Sequence, residues 1–141
     1  MIRSGRFLLL VVFCAASMLW LGCESVDHRA RPTWTPTPID RFAQVSGHWE
    51  GLLVRAPKSN EDDWVKVRIH EDGTYEFAAY RTVGVFGGKG QFTLKDGTLF
   101  VETERGTASI ALFVAEAGRM LRAEAETKDG LRYSGDLLPK P

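Results

Sequence analysis

The residues of this chain that could carry chemistry are few, and their spacing limits what they can do. His48 and His70 are metal-ligand types, but they fall in separate segments with no third ligand near them, and a zinc site needs at least three protein donors. Asn60-Glu61-Asp62-Asp63 gathers oxygen donors of the kind calcium takes. It lacks the spaced ligands and central glycine of a calcium loop, so it reads as a solvated turn. Gly84-Val85-Phe86-Gly87-Gly88-Lys89-Gly90 has the glycine content of a phosphate-binding loop. Such loops lead into a helix N-terminus, whereas strand-like sequence follows here, which predicts a flexible hairpin. Within it Phe86 is an aromatic on a loop, placed to contact a partner, to cover a cavity mouth or to pack back on the fold. No metal or cofactor is expected.

Both cysteines, Cys14 and Cys23, fall within the first 23 residues. Everything after them lacks a thiol, which excludes disulfides and cysteine-bearing metal sites from that part. The context of Cys23 is informative. Residues 1–6 are short and carry Arg3 and Arg6, and residues 7–21 are apolar apart from Cys14 and Ser17. That is the layout of a secretory signal, and the apolar run is short of the roughly 20 residues of a bilayer span. Leu19-Trp20-Leu21-Gly22-Cys23 then resembles the lipobox of bacterial lipoproteins, with a small residue directly before the cysteine. Trp20 stands where that pattern usually has a smaller aliphatic residue. The resemblance implies cleavage after residue 22 and acylation of Cys23, with membrane attachment through the acyl chains. It also implies a bacterial cell-envelope location. Glu24 is not the aspartate that retains such proteins in the inner membrane, so the outer membrane, facing the periplasm, is expected.

Removing Arg3 and Arg6 leaves 16 Lys and Arg against 18 Asp and Glu, a net charge of −2. Such a chain has no electrostatic footprint for nucleic acid and no polybasic run for an anionic membrane. Residues 23–45 read as the anchor and a tether. Pro32, Pro36 and Pro38 interleave with Thr33, Thr35 and Thr37, which disfavours helix and sheet and favours an extended spacer.

From residue 46 the apolar positions recur with period two. Val65, Val67 and Ile69 alternate with Lys66 and Arg68; Tyr75, Phe77 and Ala79 with Glu76 and Ala78; Ile110 and Leu112 with Ser109 and Ala111. Leu121, Ala123 and Ala125, and then Tyr133, Gly135 and Leu137, continue the pattern. One buried and one wet face per strand is the implication. Asp72-Gly73, Asp96-Gly97 and Asp129-Gly130 are favoured type I′ hairpin dipeptides, and tight turns make successive strands antiparallel neighbours. The expected fold is all-β: a single antiparallel up-and-down meander of about eight strands in residues 46–139, closed or nearly closed into a barrel. A two-sheet β-sandwich is the alternative.

Gly47-His48-Trp49 opens the first of these strands and resembles the Gly-x-Trp start of lipocalins and related calycin barrels. The resemblance covers residues 47–138 and implies a Trp packed across the closed barrel end. Its partner arginine would lie near the last strand, with Arg132 or Lys140 as candidates. On the alternating register the inward set is apolar, and no Asp, Glu, His or Lys faces inward. Catalysis by general acid, base or nucleophile needs such groups gathered and shielded, so a non-enzymatic protein is expected. Small inward residues, among them Ala79, Ala123 and Ala125, either leave an apolar cavity or taper a solid core. In the first case a small apolar ligand or lipid would meet Trp49, Phe77, Phe86, Phe92 and Tyr133. In the second the barrel would act by protein interaction, for instance as a hydrolase inhibitor. A monomer is expected in either case.

Overall fold

The computed structural model describes residues 32–57 and 62–141. Signal, Cys14 and Cys23 therefore lie outside the described residues. The described unit, Pro32–Pro141, is all-β. Its strands are β1 (Thr35–Thr37), β2 (Gly47–Ala56), β3 (Asp63–Ile69), β4 (Thr74–Arg81), β5 (Gly84–Gln91), β6 (Thr93–Lys95), β7 (Thr98–Thr103), β8 (Gly106–Ala115), β9 (Gly118–Thr127) and β10 (Arg132–Lys140). A single 3-10 turn, Phe42–Gln44, separates β1 from β2.

The strands form one strongly curled antiparallel sheet in the order β5-β4-β3-β2-β10-β9-β8-β7-β6. Chain neighbours pair from β2 to β5 and from β6 to β10, and β10 returns to β2 in the middle. The two ends of the order, β5 and β6, are joined covalently through Phe92 but share no ladder. The result is a half-barrel with a seam. β3 shows why the sequence dictates this: its residues alternate buried and exposed without a break from Asp63 to Ile69, as a strand with one wet face must.

Curling brings β2 and β10 unusually close. A side chain on Gly51 would run into the Asp136 carbonyl, and one on Gly135 into the Leu52 carbonyl. Larger residues at either position would push the two central strands apart. The expected turn chemistry holds in part. Asp96 and Gly97 both have positive φ (51° and 74°), as a type I′ turn requires, whereas at Asp72-Gly73 and Asp129-Gly130 only the glycine does. At the former, the Asp72 carboxylate accepts from the Thr74 amide and hydroxyl (2.9 and 2.6 Å), a local turn that replaces the second positive φ. Those bonds, the hydroxyl first, hold Asp72 below its ordinary pKa.

Two parts of the chain depart from expectation. Residues 84–90, read as a flexible hairpin, form β5 and pair in register with all of β4. Gly88 and Gly90 stand opposite Phe77 and Tyr75, and a Cβ on either glycine would meet those rings at 2.9 and 2.7 Å. The rings of β4 fill the space that β5 leaves, which is how aromatic side chains support glycine-rich edge strands. The period-two signal is lost because a glycine has no side chain to report it.

The second departure is at the N-terminal side. Residues 35–45, read as part of a spacer, belong to the fold. β1 pairs with the end of β8 (Thr35 to Val114, Thr37 to Leu112), extending the edge where β7 stops at Ile110. Ile39 and Val45 are buried to 2% and 0% exposure, and each contributes about 1.5–3 kcal/mol by that burial. Proline and threonine are compatible with an edge strand of three residues, where a missing N–H faces away from the ladder.

Candidate functional site

The two ends of the barrel are built differently. At one end the chain between β1 and β2 crosses the opening as a plug. The Ile39 amide donates to the Gly97 carbonyl (2.9 Å) in the β6–β7 turn. The Phe42 ring lies against Gly73 in the β3–β4 turn, which holds φ at +84° and has no room for a side chain. Trp49 is 1% exposed, and its indole N–H donates to the Val45 carbonyl (2.8 Å). The guanidinium over that indole belongs to Arg119 on β9, 5.6 Å from the ring, and it also donates to the Gln44 carbonyl (2.6 Å). The two residues expected in this role are engaged elsewhere: Arg132 with Glu126 at 3.6 Å and Lys140 with Glu50 at 3.0 Å. The last strand does run beside the tryptophan, with Pro139 opposite Trp49, but the guanidinium over the ring is supplied by β9.

Among the described residues no segment crosses the opposite end. A cavity of about 260 Å³ lies inside the curl, lined largely by Leu53, Val65, Val67, Tyr75, Phe77, Ala79, Phe92, Val101, Ile110, Ala123 and Ala125. Of the residues singled out by sequence, Phe77, Phe86, Phe92 and Tyr133 meet on this cavity; Trp49 does not, being spent on the plug. Tyr75 and Phe92 stack at 4.3 Å with a 31° tilt. Phe77 and Phe86 meet edge to face at 5.5 Å, a geometry that aromatic quadrupoles favour. Phe86 is 40% exposed and stands at the rim on β5. Burial of the Tyr75 phenol raises its pKa above the ordinary value.

The rim corrects one expectation outright. Asp63, placed by sequence in a solvated acidic turn, is the first residue of β3 and 5% exposed. Its Oδ2 accepts from Nε and Nη2 of Arg81 at 3.0 and 2.7 Å. Arg81 Nη2 also donates to the Tyr133 hydroxyl (3.4 Å), and its guanidinium lies 5.3 Å from the Phe86 ring. The interior therefore holds an acid and a base, paired. Hydrogen bonding to Asp63 raises the Arg81 pKa from its ordinary value, against a smaller desolvation effect. A signal for the pair was present: Asp63 continues the phase of Val65, Val67 and Ile69, and Arg81 continues that of Tyr75, Phe77 and Ala79. Because Val65 pairs with Ala79 antiparallel, one more step along each strand brings the charges opposite.

A third charged residue at the rim, Arg105 in the β7–β8 turn, lines the cavity and lies 5.8 Å from the other side of the seam at Phe86. A groove of about 510 Å³ continues from the cavity through the seam between β5 and the β7–β8 hairpin, sharing Phe77, Phe86, Val101 and Arg105 with it. His48 is exposed and His70 half-buried, and among the described residues no three His, Cys, Asp or Glu side chains are grouped to hold a metal. Comparison with protein-family models, with curated proteins and with solved structures gives no match.

Proposed function

We propose that this chain is a non-enzymatic envelope lipoprotein whose curled sheet holds one small apolar ligand or lipid. The observation that carries the reading is the cavity: an apolar hollow of about 260 Å³ beneath a plugged end, where close packing would otherwise fill a core. Small side chains at Ala79, Ala123 and Ala125 leave the space, and apolar pockets with a few polar groups at one end suit such ligands. The Trp49–Arg119 contact supports the lipocalin-like reading, with the arginine supplied from β9. Asp63 is the only carboxylate that the inward phase of β3 and β4 supplies, and Arg81 holds it in an ion pair. It is therefore a poor general base. Retention of a lipid in native mass spectra of the purified protein, lost on Ala125→Phe, is the expected result. An unliganded spectrum and unchanged binding of apolar probes in that variant would overturn the reading.

Attachment to the membrane rests on the lipobox resemblance at Cys23. Metabolic labelling with an alkyne fatty acid should mark the wild type and not Cys23→Ser. Fractionation should place the labelled protein in the outer membrane.

A second reading, recognition of a protein by the barrel surface, is favoured by one arrangement. Leu52, Trp64, Tyr80 and Val85 stand directly opposite one another across β2, β3, β4 and β5, on the outer face, at 43%, 43%, 40% and 66% exposure. Alternation predicts polar residues there, and a contiguous exposed apolar row marks contact surfaces in soluble proteins. A photo-crosslinker at Trp64 that captures one partner, with Ala125→Phe having no effect on capture, would favour this reading over the first.

A further inference from the structure

The cavity accounts for an apolar ligand body; the rim adds a head group. Among the described residues, four charged side chains line the cavity. Asp63 and Arg81 neutralise each other in a two-bond ion pair. Glu124, though it borders the cavity, lies out of phase on β9 beside Arg122 on the outer face. Arg105 is left. Among the described residues its guanidinium has no carboxylate partner, and it lies 5.8 Å from the centre of the Phe86 ring. In the adjoining seam, Glu126 is engaged by Arg132, while Lys89 and Glu104 border the outer groove.

Resting on the proposed ligand-binding reading, we infer that the cavity takes a small anionic amphiphile, a medium-chain carboxylate, with its chain among Phe77, Val101 and Ala123 and its head on Arg105. Three physical points lead to this class. A guanidinium beside an apolar lining keeps its donors for a ligand and matches a carboxylate bidentately. A cationic head would meet the uncompensated charge of Arg105, and among the described residues no unpaired carboxylate faces the interior to offset it. Size sets the length: an apolar cavity of 150 Å³ accommodates benzene, so about 260 Å³ accommodates on the order of ten carbons. Arg81, hydrogen-bonded to Tyr133, and Arg105 both lie near the Phe86 ring, at 5.3 and 5.8 Å.

The test is a calorimetric titration of the purified full chain with decanoate, decanol and decyltrimethylammonium. Decanoate is expected to bind about tenfold more tightly than decanol, and the ammonium probe most weakly. Arg105→Gln, in an exposed turn, should bring decanoate to within about twofold of decanol and leave decanol unchanged. The carboxyl resonance of decanoate enriched with carbon-13 in that carboxyl should shift on binding to the wild type only. Ala125→Phe should abolish binding of both decanoate and decanol. Equal affinity for decanoate and decanol, insensitive to Arg105→Gln, overturns the head-group assignment while the cavity reading stands. Binding of neither probe, or binding that survives Ala125→Phe, removes the cavity reading and this inference with it.

Discussion

The plugged and open ends of the barrel use the same two residue types, an aromatic and an arginine, to opposite effect. At the plugged end Trp49 is fully buried, its one polar atom bonded to Val45, and Arg119 covers it while binding Gln44. Every group there is used for packing. At the open end Phe86 stays 40% exposed with two guanidinium groups near its ring, and small side chains leave a hollow behind it. The contrast teaches that residue identity says little about role without knowing what closes over the residue. A segment of the chain crosses one end, and nothing among the described residues crosses the other.

That contrast can be broken most forcefully at Trp49. Trp49→Ala should cost about 3–5 kcal/mol in urea unfolding, because the plug loses both its filler and the anchor for Val45. If the loss is below about 1 kcal/mol, the plug is not a packed end. Arg81→Met comes next, at about 3 kcal/mol, since it strands the Asp63 carboxylate in a nearly buried position. Adding Asp63→Asn should recover most of that loss; two independent, additive losses would mean that the ion pair is not the reason for the cost.

A matched pair of enlargements sharpens the comparison further. Val45→Phe should destabilise by about 1–3 kcal/mol, because a close-packed site has no room. Ala125→Leu, into the hollow, should change stability by less than about 1 kcal/mol and weaken ligand binding. Equal costs at the two positions would mean that the ends are packed alike. The smallest effect is a pH dependence at Tyr75, between the two ends. Burial raises its pKa above 10.0, so the unfolded chain releases that proton first. The stability from a neutral buried phenol is complete below the unfolded value and is lost as pH rises through the folded one. Thermal melts should therefore fall more steeply on the alkaline side in the wild type than in Tyr75→Phe, and identical slopes would assign the loss to other groups.

Much of this architecture is legible in the residues themselves. Val65, Val67 and Ile69, or Ile110 and Leu112, identify strand, phase and buried face, because a side-chain period of two has only one backbone that satisfies it. Four of five cavity aromatics follow from the same reading. What it misses has two sources. Strand β5 is invisible because glycines carry no polarity to alternate, and its evidence is the pair of rings across from it on β4. Asp63 reads by its charge as part of a solvated turn, and Arg81 draws no reading at all, although both keep the inward phase; their charge is tolerated because the β3–β4 register sets each at the other's side.

By itself, then, the sequence determined a curled antiparallel meander with an apolar interior and hairpins at its Asp-Gly pairs, since these depend on neighbours along the chain. Which end is plugged, which arginine covers Trp49, and which is left without a carboxylate were decided only by the tertiary structure. Those outcomes depend on contacts between residues far apart in the chain, such as Gln44 with Arg119 and Phe86 with Arg105. No local pattern of hydrophobicity encodes where a curled sheet brings its edges together.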